Sequence, residues 1–403
     1  MKSYFKQLGP GLLFAGAAIG VSHLVQSTRA GADFGWGLLW ILVAAHGLKY
    51  PFFQLGTRYA LATNESLIEG YHSMGKKYLW IYFFLTLGTM FTIQTAVTIV
   101  TASLATMFTG TTVSLTTWST IITLLCLLVL WRGSYGVLDR LMKWIISILT
   151  LSTLVAVFLA GTKAPGPVSF EQILPQKSSW VFIAALVGWM PAPLDLSIWQ
   201  SLWTLEKRKA GKISGKEGLF DFNLGYAVTF FLGLCFMGLG AYVMHHSGNQ
   251  FSAVGGVFAQ QLIHLYTSTL GEGIAVFISI AALTTMLSTT ITTLDASPRA
   301  LERSAVHLFP QQPFLNHRFW LILLSAGTIA IFTFFRQDMG TLVKIATVLS
   351  FVTAPFYAIM NYRLLQKDNI AEEYRMGKGF RVLAILGIVF LVVFAIAFLL
   401  VEG

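Results

Sequence analysis

Charged side chains are scarce in this chain: only 11% of its 403 residues are Asp, Glu, Lys or Arg, whereas 55% are hydrophobic. Soluble domains carry about 25% charged residues, so the composition excludes an ordinary soluble enzyme or binding domain. Mean hydropathy is +0.70, which several spans of about 20 apolar residues would produce. The sequence therefore predicts a polytopic membrane protein with the lipid bilayer as its surroundings.

Cysteine is almost absent as well. Cys126 and Cys235 both lie in apolar runs, and there is no CxxC pair or His/Cys cluster, so neither a disulfide framework nor a structural zinc site is indicated. No P-loop, HExxH or GxSxG motif occurs, and carboxylates in the apolar runs lie near helix ends, as Asp195 and Asp295 do. We expect no enzymatic activity and no cofactor, apart from a transported or coupling ion such as a transition metal, Na⁺ or H⁺.

The net charge of +10 does not indicate a nucleic-acid partner, because the basic residues fall in short segments between apolar runs. Those runs predict eleven membrane helices, over residues 10–31, 36–58, 79–109, 113–131, 141–161, 178–205, 219–245, 273–295, 319–335, 340–362 and 382–401. A cytoplasmic N-terminus places most of the 27 Lys and Arg inside, as the positive-inside rule requires. We predict a multi-pass protein of the inner or plasma membrane, with its C-terminus on the opposite side.

Two of the predicted helices contain residues that interrupt a helix. In the first, Gly20 is followed by the polar residues Ser22 and His23 in the middle of an apolar run. In the sixth, Pro191 and Pro193 each remove a backbone donor, which a continuous helix would not tolerate twice within three residues. We predict a break in both helices.

The positions of the two breaks indicate an internal repeat. Each broken helix opens a set of five spans, a pattern typical of transporters with inverted repeats and a substrate site at the bilayer midplane between the breaks. We assign the first repeat to 8–161, the second to 178–363 and an additional helix to 380–403, all within one membrane domain, 1–403. The predicted function is secondary transport of a small molecule or ion by alternating access.

Several stretches resemble Nramp-type divalent metal transporters. They lie in spans one, two, six and eight: Gly9-Pro10-Gly11, Arg29 to Gly35, Leu38-Leu39-Trp40, Gln54, Leu61-Ala62-Thr63, Met190-Pro191 and Ser288-Thr289-Thr290-Ile291-Thr292. The resemblance implies the all-α fold of the APC superfamily, known as the LeuT-type fold. Ten core helices then form two inverted five-helix repeats with broken helices 1 and 6, followed by one extra helix.

The chain departs from that family where the family binds its metal. The resemblance places the family's DPGN motif on Gly20-Val21-Ser22-His23, so the aspartate is missing and His23 replaces the asparagine. The family's MPHN becomes Met190-Pro191-Ala192-Pro193, which loses a histidine implicated in proton movement. Span three lacks the acidic proton-relay residues of the family. In such a site a divalent cation would lack the carboxylate that compensates most of its charge. Hard ions would be affected most, because they prefer charged oxygen ligands.

His23 and Met190 remain as possible metal ligands. A nitrogen and a thioether ligand suit late first-row transition metals better than magnesium or calcium. Each residue also has a structural interpretation, as a packing histidine and as core filling, and Asp195 could either supply charge or cap the second half of helix six. We predict a divalent transition metal as the substrate, held by His23 and Met190.

A small organic solute such as an amino acid or an amine is the alternative. The stretch from Gly16 to Ser22 is similar to the Gly-rich first-helix loop of amino-acid transporters in the wider superfamily, where backbone amides approach a substrate carboxylate. Trp189 would then form a hydrophobic wall and Asp195 would meet an ammonium group. The predicted substrate site comprises Gly20, Val21, Ser22, His23, Trp189, Met190 and Asp195.

Polar residues in spans two and eight are candidates for ion coupling. Lys49 lies near the middle of span two, where a lone ammonium costs at least about 2.5 kcal/mol, so it should pair or face water. It would either replace a coupling cation or snorkel to the surface, and His46 precedes it by one turn. Ser288 and Thr289 lie where hydroxyls bind sodium in sodium-coupled members of the superfamily, although such hydroxyls more often bond to their own backbone.

Overall fold

Helices account for nearly all of the described chain, since a bilayer offers no water to satisfy other backbone conformations. The computed structural model describes residues 8–402 apart from 111, 133–134, 163–168, 175–178, 212–214, 246–251, 253–256, 258, 262, 265–266, 268–270, 335–338 and 367–369. No strand occurs among the described residues.

A helix lies over each of the eleven predicted segments. The helices are α1 (Pro10–Ala18), α2 (Thr28–Phe34), α3 (Leu39–Thr63), α4 (Leu67–Met74), α5 (Lys76–Thr109), α6 (Leu115–Arg132), α7 (Tyr135–Thr162), α8 (Trp180–Trp189), α9 (Leu196–Ala210), α10 (Gly215–Leu239), α11 (Glu272–Leu308), α12 (His317–Phe334), α13 (Met339–Leu364) and α14 (Lys378–Glu402). π-helical turns at Ser22–Ser27 and Gly240–Met244 extend two of them. The short helix α4, between the second and third spans, was not predicted.

Six helices within the described residues are long and apolar enough to cross a membrane by themselves. They are Lys76–Thr109, Gly136–Thr162, Gly215–Met244, Val276–Leu308, His317–Phe334 and Lys378–Leu400. A seventh is formed if Pro10–Ala18 and Ser22–Phe34, which meet at 49°, are taken as one span. Two further predicted spans contain apolar helices that are shorter, Leu115–Trp131 and Trp180–Trp189.

The first predicted break is confirmed. Helix α1 ends at Ala18, Ile19 leaves helical geometry with ψ at 82°, and the chain resumes as the π-helical turn Ser22–Ser27. Gly20 is required here by its neighbour, because a Cβ at this position would lie only 2.4 Å from Oγ1 of Thr289 on α11. The break therefore packs directly against α11.

The second predicted break is confirmed too. Helix α8 ends at Trp189, α9 begins at Leu196, and Met190 adopts an extended conformation between them. The two prolines explain this geometry, because each lacks an amide hydrogen and disfavours helical geometry in the residue before it. The sixth span therefore consists of two half-helices.

Helix α10 holds the start of α1 in place. The carboxylate of Asp221 accepts hydrogen bonds from the amides of Gly9 (2.9 Å) and Gly11 (2.7 Å), which α1 itself leaves unpaired. The two helices touch through glycine, since a Cβ on Gly225 would lie 2.0 Å from the carbonyl oxygen of Gly11. Small residues at such a crossing let membrane helices approach closely. The first half-helix is thus fixed before the chain reaches the break.

Candidate functional site

A cavity of about 50 Å³ lies between the two breaks. One ordered water needs roughly 10–15 Å³ by the same measure, so the cavity accommodates a few waters or a small solute. Both interrupted helices contribute to its walls, and α5 and α11 close it from the other side. Most lining residues are apolar, and those with a polar side-chain atom are Ser22, Trp189, Asp195, Trp199, Thr289 and Thr293.

The structure brings five of the seven predicted substrate residues to this cavity. They are Gly20, Val21, Ser22, Trp189 and Asp195. The other two, His23 and Met190, are fully buried and do not line it. The two residues for which metal ligation was predicted therefore lie outside the space where a substrate fits.

His23 points away from the cavity toward α10. Its Nε2 lies 2.9 Å from the carbonyl oxygen of Thr229, and its Nδ1 lies 2.8 Å from Oγ of Ser22. A carbonyl oxygen only accepts, so Nε2 carries the hydrogen and Nδ1 of the neutral ring is an acceptor. The Ser22 hydroxyl that faces Nδ1 has one hydrogen and also lies 2.6 Å from the carbonyl oxygen of Ala18. Both ring nitrogens thus face protein atoms, and the ring lies outside the cavity.

Met190 belongs to an apolar cluster. It packs with Leu42, Ala45 and Val187, and its methyl carbon lies next to α10, 3.1 Å from where a Cβ on Gly233 would be. Across the residues that the structure describes, no group of three or more His, Cys, Asp or Glu is arranged to hold a metal ion.

Asp195 is the one ionisable residue among those that line the cavity. It precedes α9 at the N-cap position, yet its side chain makes no capping hydrogen bond. The positive end of the α9 dipole stabilises a negative charge at this place. The carboxylate lies close to the amide of Leu196 and also borders the cavity, where a bound solute would lie beside it.

Ser288 and Thr289 join α11 to the first break. Oγ of Ser288 lies 2.9 Å from the carbonyl oxygen of Gly16, and Oγ1 of Thr289 lies 3.2 Å from the same oxygen and 3.1 Å from that of Ile19. Both hydroxyl oxygens also lie near the carbonyl oxygen of Thr285 on their own helix, at 2.7 Å for Ser288 and 3.3 Å for Thr289. Of the two residues, only Thr289 lines the cavity.

Lys49 is fully buried and reaches the second break from α3. Its ammonium nitrogen lies 2.7 Å from the carbonyl oxygen of Val187, 2.9 Å from those of Gly188 and Met190, and 3.0 Å from that of Ala192. Snorkelling is ruled out by this burial, because the ammonium ends inside the protein.

His46 makes no hydrogen bond to Lys49 among the described residues, although the two side chains interact electrostatically. Nδ1 of His46 lies 2.9 Å from the carbonyl oxygen of Leu42 on its own helix. Its ring stands almost perpendicular to that of His23, with 6.4 Å between the centroids, and it also contacts Phe230. His46 is thus part of the packing around His23.

Comparison with known proteins identifies the group to which this arrangement belongs. A family model described as Natural resistance-associated macrophage protein-like matches residues 11–401. The chain belongs to the Nramp family. An uncharacterized protein of Pasteurella multocida (strain Pm70) is 36% identical over 406 residues, which cover 98% of this chain and 92% of that protein.

Solved structures show that this Nramp-family chain has the LeuT-type fold, all-α with two inverted five-helix repeats and broken helices 1 and 6. The manganese transporter of Eremococcus coleocola superposes with a TM-score of 0.73 at 14% identity, over 98% of this chain and 86% of that one. Mhp1, a nucleobase-cation-symport-1 family transporter, gives 0.62 at 16% identity, over 98% and 90%. MhsT in complex with L-phenylalanine gives 0.64 at 14% identity, over 98% and 97%.

Family and fold together make this Nramp-family protein a multi-pass membrane protein and a secondary transporter. The same fold serves a manganese transporter and a protein in complex with L-phenylalanine. The chemistry of the cavity therefore has to identify the class of substrate.

Two cavity features were missed from the sequence. Thr293 lines the cavity, with its Oγ1 2.7 Å from Oε1 of Gln94 on α5. Trp199 lines it from α9. Gln94 is the one carboxamide in α5, and that singularity is the signal that would have pointed to it.

Proposed function

We propose that this Nramp-family transporter moves a small organic solute that carries an ammonium group, with an amino acid or a related amine as the class of substrate. The observation that carries the proposal is the set of polar groups around the cavity. It contains one carboxylate, that of Asp195, and neither of the two predicted metal ligands. The geometry thus favours the alternative over the transition metal that the sequence favoured.

Charge balance supports an ammonium over a divalent cation. A single carboxylate neutralises one positive charge, so a divalent ion in this apolar cavity would keep a net charge with few oxygen ligands around it. An ammonium group would carry only one charge beside Asp195, whose carboxylate also interacts electrostatically with Lys49, and would form a charge-assisted hydrogen bond with that carboxylate.

The hydroxyl groups on α11 support the same class of solute. Thr293 can direct its hydrogen to Gln94 (2.7 Å) or to the carbonyl of Thr289 (2.9 Å), and Thr289 can direct its own to the first break, at Ile19 (3.1 Å). Both hydroxyl hydrogens are thus engaged within the protein. The lone pairs of these oxygens are left as acceptors for an N–H group of the solute.

Two indole groups indicate that the solute also carries an acceptor. Trp189 and Trp199 both line the cavity, and their Nε1 atoms are buried without a hydrogen-bond partner among the described residues. An unpaired buried donor costs about 1–3 kcal/mol, so a bound carboxylate or carbonyl oxygen would relieve that cost. A solute that carries both an ammonium and a carboxylate would provide a partner for Asp195 and an acceptor for the indole groups.

Isothermal titration of the purified protein tests the proposal. Amino acids, simple amines and the ions Mn²⁺, Fe²⁺ and Co²⁺ are titrated separately. We expect an amino acid or an amine to bind saturably to the wild type. We expect Asp195→Asn to abolish that binding. The matched control is Glu206→Gln, whose carboxylate lies on the same helix and pairs with Lys209 at 2.7 Å outside the cavity. Binding of Mn²⁺ without binding of any amino acid or amine would refute the proposal.

We also propose that the protein lies in the cell membrane with its N-terminus in the cytoplasm. Basic residues collect at the end of the bundle where α1 begins, since the ammonium of Lys207 lies 3.3 Å from the carbonyl oxygen of Leu8 and Arg208 Nη1 lies 2.9 Å from that of Leu61. The positive-inside rule supports placing this end in the cytoplasm. A reporter enzyme active only outside the cytoplasm should work when fused to the C-terminus and fail at the N-terminus.

The boundaries of the two repeats remain part of this proposal. Residues 8–161 and 178–363 each open with an interrupted helix, and the cavity lies between those helices. Alternating access would then move one set of helices relative to the other around the cavity. Superposition of the two ranges after inversion should pair their helices in order, and a different pairing would reject the boundaries.

A further inference from the structure

The second break contains a cage of carbonyl oxygens around one buried cation. The ammonium of Lys49 has the oxygens of Val187, Gly188, Met190 and Ala192 within 2.7–3.0 Å. Its three hydrogens are shared among four acceptors, which is more acceptors than an ammonium needs. The oxygens are therefore arranged as for a coordinated cation.

The prolines explain why these carbonyls are free. In a continuous helix the carbonyl of Val187 would accept from the amide of residue 191, but Pro191 has no amide hydrogen. The last carbonyls of a helix also carry its partial negative charge, so the end of α8 attracts a cation. Lys49 supplies the hydrogen-bond donor and the positive charge that the carbonyl end of α8 requires.

No carboxylate oxygen lies within 4 Å of the Lys49 ammonium in the part of the chain that the structure describes, and Asp195 interacts with it only electrostatically, from a longer distance. The side chain has no exposed surface, so water does not hydrate the ammonium. Carbonyl oxygens replace the hydration shell, as they do for monovalent ions in membrane proteins. A free monovalent cation would suit the same cage.

We propose that Lys49 is a tethered cation, permanently bound in the second break in the place of a free monovalent ion. Its ammonium draws together carbonyls on both sides of Pro191 and so holds the backbone that leads to Asp195. Lys49 is thus a positioning residue for the cavity, and the shape of the second break does not depend on sodium. This inference concerns the break itself and stands whatever solute the cavity binds.

Chemical rescue tests the proposal without knowledge of the substrate. Lys49→Ala removes three methylenes and the ammonium, a fragment that n-propylammonium matches in length and charge. The melting temperature and tryptophan emission of the purified variant are measured with n-propylammonium, with propan-1-ol as the neutral probe, and with sodium or choline chloride. Trp189, one of the eleven tryptophans, lies at the end of α8, so its share of the emission changes if the break changes.

We expect Lys49→Ala to melt several degrees below the wild type and n-propylammonium to restore most of that loss in a saturable way. Propan-1-ol should have little effect, and the wild type should melt at the same temperature in sodium and in choline chloride. Equal restoration by propan-1-ol would show that only volume matters and would overturn the proposal, as would a sodium-dependent wild type.

Lys49→Met keeps the proposal testable if the alanine variant does not fold. Methionine fills a similar volume without charge, so this variant should melt well below the wild type, show altered tryptophan emission and fail to respond to n-propylammonium. A methionine variant with the melting temperature and emission of the wild type would overturn the proposal, because the ammonium would then have no role in the break.

Discussion

The ammonium of Lys49 donates a hydrogen bond of 2.7 Å to the carbonyl of Val187, 138 residues away in the chain. That carbonyl is the one that Pro191 leaves without a helical donor. A side chain of the second span therefore donates the hydrogen bond that the interrupted sixth span lacks. The same break carries Asp195 into the cavity, so helix termination and solute binding are parts of one structure.

Replacing Gly20 with alanine should destabilise the protein. The new Cβ would lie 2.4 Å from Oγ1 of Thr289, and overpacking of this kind costs about 1–3 kcal/mol. A lower melting temperature and weaker solute binding are expected. Gly88→Ala is the matched control, because a Cβ there meets nothing within 4 Å. Equal melting temperatures for the two variants would contradict this account of the first break.

Thr293→Val should weaken binding of an ammonium-bearing solute. Valine keeps the volume but removes the hydroxyl that lies 2.7 Å from Oε1 of Gln94. Loss of one acceptor worth about 1 kcal/mol would raise Kd roughly fivefold.

Titration calorimetry with the amino acid or amine identified for the wild type would measure the change. Thr106→Val is the control, since that hydroxyl donates to the carbonyl of Ala102 on its own helix at 2.9 Å and lies outside the cavity. A Kd for Thr293→Val that equals the wild-type value would argue that this side of the cavity does not contact the solute.

Asp221→Asn should loosen the start of α1. The carboxylate accepts from Gly9 and Gly11 at 2.9 and 2.7 Å, and the amide replaces one of its two acceptor oxygens with a donor that faces an N–H group. A loss of about 1–2 kcal/mol is expected, as for removal of a helix cap.

Hydrogen exchange would localise that loss. Faster exchange in α1 than in α12 is expected for Asp221→Asn, whereas Glu206→Gln should leave both helices unchanged. Equally faster hydrogen exchange in all helices would indicate that Asp221 stabilises the whole bundle and not the start of α1 alone.

Glu69 lies in the α3–α5 connection, at one end of the bundle. It should make the free energy of unfolding depend on pH. Burial raises the pKa of the Glu69 carboxyl, but hydrogen bonds from Ser66 and the charge of Arg303 together lower it by more, so the pKa lies below its ordinary value of 4.5. A carboxylate of this kind contributes stability above its ordinary pKa, and the contribution is lost as pH falls through the lowered value.

Melting temperatures of the wild type and Glu69→Gln should therefore differ most near neutral pH, begin to converge as the pH falls below about 4.5, and meet only once the pH is below the lowered pKa. Glu65→Gln, in the same connection, is the control variant. A constant difference between wild type and Glu69→Gln at every pH would mean that the contacts of Glu69 with Ser66 and Arg303 do not depend on its charge.

Local chemistry determined much of this structure. Apolar runs of sufficient length form helices wherever they occur in a bilayer, so all eleven segments could be placed from the sequence. The prolines at 191 and 193 and the polar centre around Gly20 interrupt a helix for reasons that act within one or two turns. The breaks, and the cavity residues that lie directly at them, were therefore predictable.

Only the tertiary structure decided which way the side chains of those segments turn. His23 and Met190 lie at the predicted positions but pack toward α10, because Thr229 and Gly233 offer a carbonyl and a space there. The amide of Gln94 and the hydroxyl of Thr293 meet across 199 residues of chain. Side chains project from every face of a helix. Which face lines the cavity depends on neighbours that are close in space and distant in sequence, and no local sequence pattern encodes those neighbours.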